Sequence, residues 1–140
     1  MIIREMEKSD LEKCLVLWKD AFNAGYSDRF DTVNSLEAYL DRNPGFSTVV
    51  YDLEDNLLGA LMCGHDGRRG SIYHTAVSKS HRGKGIGRMM ETRSLSKLKK
   101  IGITTGFLFI NTKNPGSREF WEHTGWEIVD DVKYMYKSFR

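Results

Sequence analysis

Val77-Ser-Lys-Ser-His-Arg-Gly-Lys-Gly-Ile-Gly-Arg-Met-Met90 joins the end of an apolar, β-type run to the start of a basic segment with helical character, and glycines crowd the turn between them. Glycine lets a backbone approach a ligand where any β-carbon would collide. The first amides of a helix have no intrahelical acceptors and point outward as donors. The stretch therefore reads as an anion cradle. A helix dipole contributes only about 0.3–1 kcal/mol, up to about 2 in a sheltered geometry, whereas micromolar affinity needs about 8 kcal/mol net. Several charge-assisted amide bonds of about 1.5–3 kcal/mol each carry the remainder, after ordering costs are subtracted. Backbone geometry is the main term.

Spacing separates the glycine motifs that compete for this stretch. A Walker loop ends in Gly-Lys-Ser/Thr, but Lys84 is followed by Gly85, so the magnesium-binding hydroxyl is missing. A dinucleotide fingerprint needs Gly-x-Gly-x-x-Gly, whereas Gly83, Gly85 and Gly87 alternate. Arg82-x-x-Gly85-x-Gly87, after a strand ending in Val77, resembles the acetyl-CoA-binding motif of the GNAT family, the Gcn5-related N-acetyltransferases. Asn114-Pro-Gly-Ser117-Arg-Glu-Phe-Trp-Glu-His-Thr-Gly125-Trp126 is similar to a second family segment at the family's usual distance. With Gly64-His-Asp-Gly-Arg-Arg-Gly-Ser71 before the fourth strand, the resemblance covers essentially the whole chain and points to the small single-domain bacterial members. It implies acetyl-CoA as co-substrate, bound by Ala76, Val77, Arg82, Gly83, Lys84, Gly85, Ile86, Gly87 and Arg88, with Asn111, Asn114 and Ser117 further along. On this reading Gly85→Val should abolish coenzyme binding and leave the fold largely intact.

A chain of 140 residues suits one domain, 1–140, able to bury a continuous core without metal or disulfide staples. The 40% hydrophobic and 29% charged fractions are ordinary for a soluble protein. No apolar run is long enough to cross a bilayer, and Met1-Ile-Ile-Arg-Glu-Met6 is not a secretory signal, so a cytoplasmic protein without membrane contact is expected. Cys14 and Cys63 each sit in an apolar run and read as reduced core thiols, and no metal site is expected. The net charge of +2 hides an asymmetry: Lys79, Arg82, Lys84, Arg88, Arg93, Lys97, Lys99 and Lys100 gather with only Glu91 opposing them. A local anionic partner is implied, and Lys79, Lys84 or Arg88 could serve the adenosine 3′-phosphate. Nucleic acid is not the expected partner, because the aromatics do not interleave with the basic residues as a stacking platform would.

In chain order, Ile2–Met6 reads as a first strand and Ser9-Asp-Leu-Glu12 as a capping box opening a helix whose Leu11, Leu15, Trp18 and Phe22 share one face. Residues 23–31 have loop chemistry, and 35–41 offer a second short helix stopped by Asn43-Pro44-Gly45. Residues 46–52 and 57–64 read as a hairpin, 71–77 as the strand leading to the cradle, 85–100 as the basic helix and 104–111 as the next strand. A helix over 115–124 and a last hairpin about Asp130-Asp131 complete the chain. The expected fold is the α+β GNAT sandwich, a mixed, mostly antiparallel sheet with helices on both faces.

The resemblance implies acetyl transfer to a primary amine, either a small molecule or a protein N-terminus. Physically the reaction needs a base, an oxyanion donor and an acid. In the family the fourth and fifth strands splay to admit the pantetheine arm, which places the contact here at Thr75 to Val77, with the Val77 amide as donor to the thioester carbonyl. His74 is the candidate base, with His65, Asp66, Glu37 or a water chain as alternatives. Many members carry a tyrosine as acid where this chain has Trp121; an indole N–H is a donor without useful acidity, so Tyr134, Tyr136, Tyr73 or water would have to supply the proton. Trp121 also motivates a second reading, an acyl-CoA-binding sensor without turnover. The segment between the first two helices overhangs the acceptor site in the family, which makes Tyr26, Asp28, Arg29 and Phe30 candidate acceptor contacts. A monomer or homodimer is expected.

Overall fold

The computed structural model describes residues 1–22 and 31–140, which form two units, Met1–Phe109 and Ile110–Arg140. The first unit is built on a five-stranded sheet in the order β1 (Ile2–Glu5), β2 (Thr48–Tyr51), β3 (Leu57–His65), β4 (Gly70–Val77) and β5 (Gly106–Leu108). The first three pairings are antiparallel and β4 with β5 is parallel, the mixed sheet expected. The crossover between β4 and β5 carries helix α3 (Ile86–Lys100), while α1 (Leu11–Phe22) and α2 (Val33–Arg42) precede β2.

Strand alternation sorts the helices between the two faces. Val49, Tyr51, Ala60 and Met62 pack in one core with Leu11, Cys14 and Trp18 of α1 and Leu36 and Leu40 of α2. Their neighbours in sequence face α3: Thr48 Oγ1 lies 2.7 Å from Ser94 Oγ. Close approach on this face requires small residues. A β-carbon at Gly59 would sit 2.9 Å from Ile86 Cγ2, and one at Gly70 would sit 2.5 Å from Leu98 Cδ1. Cys14 and Cys63 are free and fully buried, which pushes both thiols up to about 12. Among the described residues no helix is long and apolar enough to cross a membrane.

One buried charge organises the start of the chain. Asp10, only 3% exposed, accepts from Arg4 Nη1 and Nη2 at 2.8 Å each, from Tyr51 Oη at 2.6 Å and from the Glu7 N–H at 2.8 Å. The expected capping box at Ser9 is therefore displaced. Asp10 serves Glu7 instead, through a 3₁₀ turn over Lys8–Asp10, because its carboxylate must be buried against Arg4 and Tyr51. The second helix also begins before Ser35, capped by Thr32, whose Oγ1 accepts from the Ser35 N–H at 3.2 Å.

Two sequence expectations about strands fail. β5 covers only Gly106–Leu108 because its ladder with β4 ends at Ile72 opposite Leu108. In the second unit α4 (Pro115–His123) forms as expected, but the hairpin about Asp130-Asp131 does not. A turn is present at those two residues, yet the flanking runs form no strand. Alternation by itself does not make a strand, and Val132, Met135 and Phe139 are exposed.

Candidate active site

After Val77 the chain makes a 3₁₀ turn over Lys79–His81 and then passes through two left-handed residues, Gly83 at φ +78° and Gly85 at φ +82°, before α3 starts at Ile86. A β-carbon at either glycine would find no heavy atom within 4 Å, so backbone angle and not crowding demands glycine. Other L-residues are roughly 1–2 kcal/mol less stable in that conformation. The Ile86 side chain, 1% exposed, is buried against Gly59 and pins the helix start to β3. The amides of Ile86, Gly87 and Arg88 are in the first turn, where no intrahelical acceptor exists. Arg82 folds back, its Nε donating to the Val77 carbonyl at 3.2 Å, which ties the turn to the end of β4. Lys84 and Arg88 are exposed, and Lys79 Nζ lies 4.0 Å from Asp20 Oδ1 at the surface. A groove of about 550 Å³ runs along the start of α3 past Arg88, Thr92, Arg93 and Ser96. Arg93 is engaged there: its Nη1 donates to Ser47 O at 3.2 Å and Thr48 Oγ1 at 3.0 Å, and partial burial lowers the guanidinium pKa.

Between Tyr73 and Val77, among the described residues, β4 has a ladder on the β3 side only. On that side the Ser78 N–H donates to Leu58 O at 2.8 Å. Successive amides of a strand point to opposite edges, so the Val77 N–H faces the edge where β5 has ended. The register also slips. Ala60 lies opposite Ala76 but Met62 opposite Tyr73, so two steps along β3 match three along β4. This is a β-bulge, and His74 within it has φ +45°. Simple alternation therefore breaks: Tyr73, His74 and Ala76 all contact the α1 side of the sheet. Thr75 Oγ1 is buried and has no hydrogen-bond partner among the described residues. An open strand edge, an orphaned hydroxyl and two glycines facing empty space fit an extended polar ligand that ends in phosphate.

The imidazole of His74 stacks at 5.1 Å from the ring of Trp18 and 5.9 Å from that of Phe22. Its Nε2 lies 2.9 Å from Asp31 Oδ1; the Asp31 side chain is 7% exposed and that of His74 21%. Asp31 reads in the sequence only as a loop charge, and no local signal marks it as a partner of a residue on β4. The alternative bases have other tasks. His65 Nδ1 accepts from the Gly67 N–H at 3.0 Å, and Asp66 Oδ1 accepts from the Arg68 and Arg69 N–H groups at 3.0 Å each, which lowers the Asp66 pKa. Both hold the β3–β4 turn. Glu37 is half-buried on α2.

The remaining candidates are dispersed. Tyr73 belongs to an aromatic group with Tyr39 at 6.0 Å, Phe109 at 6.4 Å and Phe107 at 6.5 Å. Asn111, Asn114, Ser117, Trp121, Tyr134 and Tyr136 belong to the second unit. There Asn111 Oδ1 accepts from the Lys113 N–H at 2.9 Å, and Asn114 caps α4 by accepting from the Ser117 N–H at 3.3 Å. Trp121 is 7% exposed, packed edge-on to Phe120 at 4.8 Å and Trp126 at 5.8 Å. Tyr134 and Tyr136 are exposed. Tyr26, Asp28, Arg29 and Phe30 lie outside the described residues.

Known proteins resemble this chain in sequence and in fold. An acetyltransferase of Sodalis glossinidius is 27% identical over 139 residues, 98% of this chain and 94% of the relative. The PaiA N-acetyltransferase of Thermoplasma acidophilum, solved in complex with coenzyme A, has the same fold at a TM-score of 0.79 and 17% identity, covering 94% of this chain and 92% of that one. An aminoglycoside antibiotic 6′-N-acetyltransferase of Acinetobacter haemolyticus gives a TM-score of 0.76 at 17% identity over 100% of both chains. The pattern of the acetyltransferase (GNAT) family matches residues 11–126, from the start of α1 through the cradle to Trp126, and the chain belongs to that family.

Proposed function

We propose that this chain, acting as one domain over 1–140, transfers an acetyl group from acetyl-CoA to a primary amine by direct attack. The observation that carries the reading is the end of the β4–β5 ladder at Ile72, which leaves the Val77 amide on an open edge leading into the glycine turn. The main-chain N–H groups of the cradle, from Gly83 to Arg88, hold the diphosphate, and Arg88 or Lys84 stands beside them for the 3′-phosphate. Bound acetyl-CoA supplies an activated acyl carbon and a thiolate leaving group. The Val77 N–H donates to the oxygen on which charge builds, a contribution that grows in the transition state. His74 takes the proton that an ammonium must lose before its nitrogen can attack. An indole N–H such as that of Trp121 has no useful acidity, so the proton that ends on the thiolate falls to water. A thiol of pKa about 8.5 leaves tolerably near neutrality without an acid. The acceptor is a small-molecule amine or a protein N-terminus, and the site of action is the cytoplasm.

A second reading has one observation in its favour. Where many family members carry a tyrosine, this chain buries a tryptophan, and loss of a general acid can lower the rate by about 10²–10⁴ where proton transfer limits. A protein so slowed would serve as an acyl-CoA-binding sensor. Calorimetric titration with acetyl-CoA, alongside thiol release in the presence of tyramine, spermidine, kanamycin and a peptide with a free N-terminus, separates the two. Turnover with any amine establishes transfer. Binding without thiol release from the whole panel establishes the sensor, and absence of binding at millimolar acetyl-CoA refutes both.

A further inference from the structure

We propose that Asp31 is a positioning residue for His74, holding its imidazole with the proton on Nε2 so that Nδ1 presents the lone pair that accepts the substrate's proton. The inference rests on the reading of His74 as base and adds a residue to it. A carboxylate oxygen only accepts, so the ring nitrogen 2.9 Å from Asp31 Oδ1 must donate. In a neutral imidazole that leaves Nδ1 unprotonated. When the ammonium N–H bond breaks, its proton bonds to Nδ1 and the ring becomes an imidazolium whose charge lies against the Asp31 carboxylate.

Three features of the structure favour a functional pair over an ordinary buried hydrogen bond. First, Asp31 stands at a capped helix start. It immediately precedes Thr32, which caps α2 by accepting from the Ser35 N–H while the Ser35 Oγ accepts from the Thr32 N–H at 3.1 Å. The positive end of the α2 dipole also favours a carboxylate there. Second, the ring is clamped by Trp18 and Phe22 yet keeps 21% of the side chain exposed, so it is oriented and still reachable. Third, His74 has φ +45° in the bulge, three residues before the Val77 amide on the open edge of β4. A non-glycine residue held in that region is strained, and such strain gathers at functional sites.

The test compares Asp31→Asn, Asp31→Glu and His74→Gln by thiol release from acetyl-CoA with the best acceptor of the amine panel, and records the imidazole ¹⁵N spectrum of the wild type and of Asp31→Asn. Asp31→Asn should lower kcat at least tenfold with the KM for acetyl-CoA changed less than twofold, and should shift the neutral His74 ring away from the Nε2–H tautomer. Asp31→Glu, which restores a carboxylate, should recover part of kcat and the wild-type tautomer. The proposal is overturned if Asp31→Asn turns over like wild type. A wild-type ring found in the Nδ1–H tautomer overturns it too, and that spectrum requires neither an acceptor nor a folded variant. Full activity in His74→Gln defeats the assignment of the base itself. Loss of activity in His74→Gln with an indifferent Asp31→Asn defeats only the pair.

Discussion

Gly85→Ala separates backbone strain from ligand binding. Gly85 has φ +82°, and a β-carbon there meets nothing within 4 Å, so the folded protein loses only the conformational preference, about 1 kcal/mol and about 4 °C in melting temperature. If that empty space belongs to the diphosphate, the methyl group also prevents at least one charge-assisted amide bond of about 1.5–3 kcal/mol, which is about 10- to 150-fold in affinity. Valine is the poorer probe, because a β-branched side chain at this angle adds strain of its own and confuses binding with folding. A matched control exists in the same strand's other turn. Gly67 has φ +94° and equally open surroundings, but β4 spans 8 residues between the two turns, a separation of about 25 Å. Calorimetric titration with acetyl-CoA and thermal melts of both variants should show equal losses of stability and a loss of affinity in Gly85→Ala alone. Should the two variants bind acetyl-CoA equally well, the cradle does not hold the diphosphate and the functional reading loses its foundation.

Asp10 should make the fold acid-sensitive. Burial raises its pKa, but hydrogen bonds from Arg4, Tyr51 and the Glu7 N–H outweigh that and hold it below the ordinary aspartate value of about 3.9. A carboxyl lowered in the folded state contributes stability that is fully present above the unfolded value and is lost as pH falls through the folded one. Asp10→Asn should therefore lose about 2–3 kcal/mol at pH 7, somewhat less than the roughly 3–5 kcal/mol of a fully buried pair that loses one partner, because Arg4 is partly exposed. Urea titrations of the two proteins should converge as pH drops below about 4, and a constant difference down to pH 2 would contradict the assignment. Cys14 and Cys63, both fully buried with thiols pushed up to about 12, should resist iodoacetamide at pH 7.5 in the native protein and react fully in urea, as mass spectrometry would register.

What the sequence determined alone is what a few consecutive residues can specify. Gly83 and Gly85 with the basic run behind them announce the cradle, because left-handed backbone and a helix start are local properties, and the structure gives both glycines positive φ. The order of strands and helices was legible for the same reason, through periodicity within each element. Tertiary structure decided what depends on pairing between distant segments. The bulge at His74 exists only because β3 and β4 run out of register between Ala60 and Met62. Asp31 and His74, 43 residues apart, meet only when α2 is laid on the sheet, and nothing in either segment names the other. Asp10 in the same way answers to Tyr51, 41 residues away, more than to the capping pattern around it. The tail shows the converse. Trp126 to Lys137 alternates as a hairpin should, yet a strand is a property of two paired segments, and none forms over that run.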